Sequence, residues 1–79
     1  MENNLFPDRL RRLRDSKGLS QQYVAEIAKA TDSAYQAWEY GKAEPKARYI
    51  KALAQFFEVS TDYLLGLDDI PNRRLNDAN

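Results

Sequence analysis

The stretch LSQQYVAEIAKATDSAYQAWEYGKAEP, residues 19–45, decides the fold of this 79-residue chain. Ser20 can cap a helix through its hydroxyl, and Thr31 can cap a second helix that ends at Gly41. Three apolar residues at helical spacing would form the buried stripe of the first helix: Val24, Ile27 and Ala28. The pattern predicts a helix of about eight residues, a break of about three, and another short helix.

Two further features of this stretch indicate that the helices cross closely. Ala25 carries only a methyl group, which lets two helices approach where a larger side chain would hold them apart. Tyr35 and Trp38 lie at helical spacing and would face the core. Two short helices joined by a tight turn form a helix-turn-helix pattern.

The flanking sequence predicts three more helices. Pro7 suits the first turn of a helix that Gly18 ends, and Pro45 would open a fourth. Ser60 can cap a short fifth helix that Gly66 closes. The inward face of the fourth helix would carry Ile50, Leu53, Ala54 and Phe57. No stretch alternates as a strand would, so the sequence predicts an all-α, compact five-helix domain.

Composition limits what such a chain can do. The length fits one small domain, with 43% hydrophobic and 30% charged residues. The absence of cysteine and histidine excludes disulfides, zinc sites and imidazole bases, so we expect no enzyme, no metal and no cofactor. No apolar run approaches the ~18 residues that span a bilayer, so we expect a cytoplasmic chain without membrane contact.

The charges are unevenly spread along a chain whose net charge is zero. Residues 1–51 hold ten Lys and Arg against seven Asp and Glu, whereas residues 52–79 hold two against five. Five basic residues lie close together in the first helix: Arg9, Arg11, Arg12, Arg14 and Lys17. A basic front half is a weak sign of a polyanionic partner, and the alternative is a solvated helix face.

Three blocks around the helix pair carry a family resemblance: RLRRLRDSKGLSQ (9–21), GKAEP (41–45) and ALAQFFEVSTDYLLG (52–66). In this order they resemble the XRE family of bacterial and phage regulators, of the Cro and phage-repressor type. The resemblance covers about residues 5–67 and implies the lambda-repressor-like DNA-binding fold. It predicts a helix-turn-helix domain over residues 1–67, followed by a loose polar tail over residues 68–79.

The resemblance implies roles for individual residues. The second helix of the pair would be the recognition helix, lying in the major groove of a double-stranded DNA operator. The positions that match base readers are Asp32, Ser33, Gln36 and Ala37. The positions assigned to backbone phosphate are Gln21, Gln22, Tyr40, Lys42 and Lys46, although Tyr40 could instead cover the helix end. Arg14 and Glu39 match a family ion pair that would form a half-buried bidentate bridge between the first helix and the recognition helix.

Three features depart from the family pattern. Lys29 stands where the family usually has a glycine with positive φ, and Tyr35 replaces the usual Ile or Val. No Arg or Lys occupies a reading position, so the bidentate pairing with guanine is not open to these residues. Gln36 can pair with adenine, and the methyl of Ala37 can contact thymine. Asp32 could accept a hydrogen bond from cytosine, or it could simply favour the positive end of the helix.

Two functions remain open on this reading. The first is a sequence-specific DNA-binding transcriptional regulator, of the phage- or prophage-repressor type. The alternative is a helix-turn-helix protein-interaction module, antitoxin-like or anti-repressor, with weak or no DNA binding. The zero net charge and the acid at a reading position favour this alternative.

The predicted assembly is a homodimer, formed in solution or only on the operator. One recognition helix contacts about 4–5 base pairs, too few to define a site in a genome, whereas a two-fold dimer doubles the contacts. Five apolar residues exceed what so small a core needs and would form the contact: Phe56, Phe57, Leu64, Leu67 and Ile70.

Overall fold

The helices follow one another with short connections in a computed structural model, which describes residues 4–72. Five α-helices and no strands occur in this range. Their bounds are α1 Phe6–Ser16, α2 Gln21–Ala28, α3 Asp32–Glu39, α4 Ala47–Phe57 and α5 Thr61–Leu65. The predicted all-α fold is confirmed, and so is the three-residue break between α2 and α3. None of these helices has the length and hydrophobicity to cross a lipid bilayer.

Hydroxyl caps set the starts of three helices, as the sequence predicts. The Ser20 hydroxyl accepts a hydrogen bond from the backbone N–H of Tyr23 at 3.0 Å. Thr31 caps α3 and Ser60 caps α5 in the same way. Each cap satisfies a backbone donor that helix geometry leaves free, which typically contributes about 1 kcal/mol.

The start of α4 corrects the sequence reading, because this helix begins at Ala47 and not at Pro45. Lys46 is the N-cap, with an extended backbone at φ −70° and ψ 163°. The first helical hydrogen bonds therefore run to the Lys46 carbonyl, including one from Ile50 N–H at 3.2 Å. Pro45 lies outside the helix, where it is buried.

Two helices end on residues other than glycine in the left-handed conformation. Lys29 follows α2 with φ 62°, the positive value expected at the family's glycine position. Glu58 follows α4 with φ 60°. The sequence has no glycine at this helix end that would predict the positive value. Residues with a Cβ pay about 1–2 kcal/mol for this conformation. Both turns are nonetheless closed by backbone hydrogen bonds, such as Ala30 N–H to the Ala25 carbonyl at 2.9 Å.

The core lies inside a ring of helices. The main contacts run from α1 to α3, then to α2, α4, α5 and back to α1. The buried hydrophobic residues are Phe6, Leu10, Val24, Ala25, Ala28, Tyr35, Trp38, Leu53, Ala54, Phe57 and Leu64. Ala25 is fully buried, as expected for a close helix crossing, whereas Ile27 of the predicted stripe is only half-buried. The ring thus holds α3 through contacts with both α1 and α2.

The predicted apolar contact surface is wrong at two of its five residues. Phe57 and Leu64 belong to the core and offer nothing to a partner, because α4 and α5 both pack them inward. Phe56 is partly buried and makes edge contacts with the rings of Tyr23 and Phe57. Leu67 and Ile70 are exposed, and Leu65, which the sequence reading left out, is exposed as well.

The sequence predicts a loose tail from residue 68, but Arg9 of α1 binds both α5 and the segment that follows it. The Arg9 guanidinium donates to the carbonyl oxygens of Tyr63 at 2.5 Å and Asp68 at 2.8 Å. It also pairs with the Asp69 carboxylate at 2.8 Å and lies 4.2 Å from the centre of the Tyr63 ring.

A backbone hydrogen bond holds the far end of this segment, from Ser60 N–H to the Pro71 carbonyl at 2.8 Å. Residues 67–71 therefore fold back along α5, and we call them the C-terminal strap. The predicted domain boundary after residue 67 stays a prediction, and the predicted tail beyond residue 72 lies outside the described residues.

Candidate nucleic-acid interface

A buried carboxylate at the end of α3 joins three helices. Glu39 is 2% exposed. Arg14 of α1 donates through Nε to Oε2 of Glu39 at 2.6 Å, and through a terminal nitrogen to Oε1 at 3.0 Å. This bidentate geometry fixes distance and angle together, so it sets α3 against α1. The pair is more buried than the half-buried bridge expected from the sequence, since the Glu39 side chain is 1% exposed.

Two more side chains complete the surroundings of this carboxylate. The Tyr35 hydroxyl donates to Oε2 of Glu39 at 2.5 Å, and the Gln21 amide donates to Oε1 at 3.0 Å. Arg14 uses its remaining terminal nitrogen to donate to the Leu19 carbonyl at 2.8 Å. We call Arg14, Gln21, Tyr35 and Glu39 the carboxylate cluster. In the part of the chain that the structure describes, no buried side-chain polar atom lacks a hydrogen-bond partner.

The cluster shifts the proton affinities of its members. Burial alone would raise the pKa of Glu39, but hydrogen bonds from Arg14, Tyr35 and Gln21 hold that pKa below its usual value. Burial, followed by the hydrogen bond to Glu39, raises the pKa of the Tyr35 hydroxyl. The hydrogen bond with Glu39 raises the pKa of Arg14. Glu39 and Arg14 are therefore both charged at neutral pH, and Tyr35 keeps its proton.

The cluster also accounts for the departure at Tyr35. The ring is fully buried and packs edge-on against Trp38, with 5.7 Å between the ring centres. The hydroxyl would be unsatisfied in an apolar core, but Glu39 lies one helical turn later and accepts its hydrogen bond. The core thus accommodates a tyrosine in place of a branched aliphatic residue because an acceptor is already present.

Gln21, predicted to contact phosphate, is half-buried and already uses one amide N–H on Glu39. A primary amide carries two N–H donors and an acceptor oxygen, so one donor remains for a ligand. Sequence reasoning missed this internal contact, because the partner lies 18 residues away on another helix.

The four predicted reading positions lie together on α3. Asp32, Ser33 and Gln36 are exposed, and Ala37 is half-buried. Asp32 and Gln36 are one helical turn apart, as are Ser33 and Ala37, so each pair shares a face. Within residues 4–72, the side chains of Asp32, Ser33 and Gln36 make no hydrogen bond or ion pair. The polar groups of these three side chains are therefore exposed and unpaired among the described residues.

The remaining predicted phosphate contacts are exposed side chains around α3: Gln22, Tyr40, Lys42 and Lys46. Tyr40 is 62% exposed. The loop after α3 folds back, with Lys42 N–H bonded to the Ala37 carbonyl at 2.9 Å. This bond sets Lys42 beside the C-terminal half of α3. Neither lysine has an ion-pair partner among the described residues.

The basic run of α1 is largely paired within the chain. Arg11 and Arg12 bind the Asp8 carboxylate at 2.6 and 2.9 Å. Arg9 binds α5 and the C-terminal strap, through carbonyls 54 and 59 residues away. No local sequence signal could have indicated this role for Arg9. The run therefore matches a paired helix face better than a polyanion site.

Beside the N-terminus of α3 lies an open cleft of about 390 Å³. Its lining comes from α2, the turn and the start of α3: Ser20, Gln22, Tyr23, Glu26, Ala30, Thr31 and Asp32. Glu26 and Asp32 bring two carboxylates to this cleft, and no lysine or arginine within residues 4–72 lines it. The candidate interface thus carries two carboxylates in the cleft at the start of α3 and two lysines in the loop after α3.

Comparison with known proteins agrees with this geometry. The family model described as Helix-turn-helix matches residues 10–64. Among solved structures, the P22 c2 repressor protein in complex with synthetic operator 9T matches with a TM-score of 0.77 and 27% identity. That match covers 84% of this chain and 100% of the repressor chain. The resemblance drawn from the sequence is confirmed.

Two curated relatives extend the comparison. The SPbeta prophage-derived uncharacterized HTH-type transcriptional regulator YonR of Bacillus subtilis (strain 168) is 43% identical over 61 residues, which are 77% of this chain. The HTH-type transcriptional activator BcrR of Enterococcus faecalis is 34% identical over 65 residues, which are 82% of this chain. These matches span 56% of YonR and 32% of BcrR, so the chain corresponds to only part of either relative.

Proposed function

Since the chain belongs to the helix-turn-helix family, we propose that it is a sequence-specific DNA-binding transcriptional regulator whose α3 lies in the major groove. The observation that carries this proposal is the exposed start of α3, whose polar side chains have no partner in the described chain. The buried carboxylate cluster supports this proposal, because it fixes α3 against α1 and a recognition helix must be held rigidly.

The proposed contacts divide into two kinds. Asp32, Ser33, Gln36 and Ala37 would read base edges. Gln21, Gln22, Tyr40, Lys42 and Lys46 would bind phosphate oxygens. Phosphate contacts position a protein on the duplex, whereas contacts with base edges specify the sequence. The ion pair of Arg14 and Glu39 would touch no DNA and would hold α3 in place.

We further propose a repressor of the phage or prophage type. The supporting observations are the match over the full P22 c2 repressor chain and the prophage-derived relative YonR. BcrR is named an activator, so the sign of regulation needs a direct test. A reporter gene with the selected site between promoter elements should lose expression when the protein is present, whereas a gain in expression would assign activation.

A homodimer is part of the proposal, formed through Leu65, Leu67 and Ile70. These three exposed side chains lie at the end of α5 and on the C-terminal strap. A second copy is the occupant that this surface fits best, because a short α3 with few strong readers needs a second recognition helix on the duplex. A contact between identical surfaces would relate the two copies by two-fold symmetry.

Selection of bound duplexes from a random library tests the proposed function. We expect a palindromic consensus and an affinity that falls steeply with salt concentration, since each neutralised phosphate releases counterions. Gln36→Ala should relax the preference at one base pair, whereas Lys42→Ala should weaken all duplexes about equally. Lys51→Ala, which removes an exposed charge at a position assigned no contact, is the control.

The alternative function, a protein-interaction module, is favoured by the acidic cleft beside α3. Two carboxylates in a cleft that no described lysine or arginine lines suit a basic protein surface better than DNA phosphates. Failure to enrich any duplex, together with the absence of salt-dependent binding to random DNA, would favour this alternative over DNA binding.

A further inference from the structure

Asp32 presents a free carboxylate at the first position of α3. Its side chain is exposed and makes no hydrogen bond or ion pair within the described residues. The N-terminal cap of α3 is supplied by the Thr31 hydroxyl, which accepts the hydrogen bond from Ala34 N–H. Asp32 is therefore not needed as the capping acceptor, and its oxygens are available to a ligand.

The surroundings of Asp32 make this carboxylate unfavourable near DNA unless a base compensates for it. Among the described residues, the lining of the neighbouring cleft adds the Glu26 carboxylate and includes no lysine or arginine. The lysines assigned to phosphate contacts lie in the loop beyond the other end of α3. A carboxylate brought close to phosphates is repelled at every sequence.

Hydrogen bonding to a base edge can offset this repulsion at some sequences only. An ionised carboxylate is an acceptor and has no proton to donate. In the major groove, guanine presents two acceptors and thymine presents one, so both bases repel the carboxylate. Cytosine presents the N4 amino donor alone, whereas adenine places its N7 acceptor beside the N6 donor. Cytosine is therefore the base that suits Asp32 best.

We propose that Asp32 is a specificity-determining residue that accepts a hydrogen bond from the N4 amino group of a cytosine and rejects other bases at that position. The proposal rests on the proposed DNA-binding function and extends it to the sequence that is bound. The same repulsion that weakens general DNA binding then raises the ratio of specific to non-specific affinity.

Two variants of Asp32 and one control variant test this role. Each is compared with the wild type by duplex selection and by its affinity for random duplex. We expect a cytosine at one position of each half-site, with a loss of about tenfold or more when it is replaced. Asp32→Asn should shift that preference to adenine, because an asparagine amide pairs with N6 and N7. Asp32→Ala should lose the preference. Both should bind random duplex more tightly.

Glu26→Gln is the matched control, because it removes the same charge from the same cleft at a position assigned no base contact. It should bind random duplex more tightly and keep the cytosine preference. If Asp32→Asn raises all affinities and leaves the preference unchanged, the proposed reading role is wrong while DNA binding stands. If the wild type binds no duplex, both the reading role and the DNA-binding function are wrong.

Discussion

Glu39 carries a charge where the solvent cannot reach it, and its stability contribution depends on its partners. Removing one member of a buried ion pair leaves the other charge desolvated and unpaired. We expect Glu39→Ala to lower the free energy of unfolding by about 3 kcal/mol, because Arg14 would lose both of its bonds to the carboxylate. Urea denaturation followed by circular dichroism measures this loss.

Asp8→Ala is the control for that measurement. It removes two ion pairs, with Arg11 and Arg12, whose side chains are largely exposed. Exposed pairs contribute about 0–1 kcal/mol, so this variant should lose much less stability. A loss of similar size in both variants would contradict the importance of burial at Glu39.

Acid should remove the contribution of Glu39. The folded pKa lies below the unfolded value, so the ionised group stabilises the fold above the unfolded pKa of about 4.3. This stabilisation is lost as the pH falls through the folded pKa. The stability difference between the wild type and Glu39→Gln should therefore stay constant near neutral pH and narrow below about pH 4.3. Denaturation at several pH values measures it, and a difference that does not narrow would refute the expectation.

The Tyr35 hydroxyl can be removed with little change in packing. Tyr35→Phe keeps the ring beside Trp38 but removes a donor to the buried carboxylate. We expect a loss of about 1.5 kcal/mol, as for hydrogen bonds to charged groups. Tyr49→Phe is the control, since among the described residues the Tyr49 hydroxyl accepts a hydrogen bond only from Arg48, at the surface. Equal losses in the two variants, measured by chemical denaturation, would show that the cluster adds nothing at Tyr35.

At the scale of helices, Lys29 and Glu58, which end α2 and α4 in the left-handed conformation, lower the stability of the fold. Lys29→Gly and Glu58→Gly should each raise the free energy of unfolding by about 0.5–1 kcal/mol, because glycine has no Cβ to clash at positive φ. Lys51→Gly, in the middle of α4, should instead lower it by about 1 kcal/mol. Thermal denaturation distinguishes a gain in stability from a loss. A lower stability of Lys29→Gly and Glu58→Gly would contradict backbone strain at these residues.

These same helix ends show what could be predicted from the sequence. The caps at Ser20, Thr31 and Ser60 follow from local rules, because each hydroxyl binds an amide three residues later. The end of α4 at Glu58 has no such signal, since no glycine marks its positive φ. The predicted start of α4 at Pro45 was wrong because proline suits both the first turn of a helix and the segment before it.

The exposure of the named α3 positions could be predicted from the sequence, but contacts within the candidate site could not, and the roles in DNA binding stay predictions. The resemblance named Asp32 and its neighbours on α3, and the fold leaves three of those four positions exposed. The contacts of Gln21 with Glu39, and of Arg9 with Tyr63, join residues far apart in the chain. Such contacts depend on how helices pack, which no single helical pattern contains.

At the scale of the whole molecule, Arg9 connects the start of the chain to the proposed dimer surface. Its guanidinium holds the C-terminal strap, which carries Leu67 and Ile70. Arg9→Gln should free the strap and lower the affinity for a palindromic duplex by about tenfold or more, because two linked copies bind more tightly than one. Affinity for a single half-site should change little.

Arg11→Gln is the control, since it removes the same charge from the same helix, and within residues 4–72 Arg11 pairs only with Asp8. Titrations of both variants against palindromic and half-site duplexes, with the mass of each complex, make the comparison. Equal losses on the two duplexes would mean that Arg9 acts on the fold or on the DNA and not on the dimer.

The carboxylate cluster also limits the order in which its residues can change during evolution. A lineage can lose the Tyr35 hydroxyl first, because Arg14 and Gln21 still bind Glu39. Losing Arg14 first would leave the buried Glu39 carboxylate without its cation, and few descendants would tolerate the loss of stability. Replacing both members of the pair by apolar residues can be neutral. Homologous chains should therefore vary at position 35 while positions 14 and 39 stay fixed or change together.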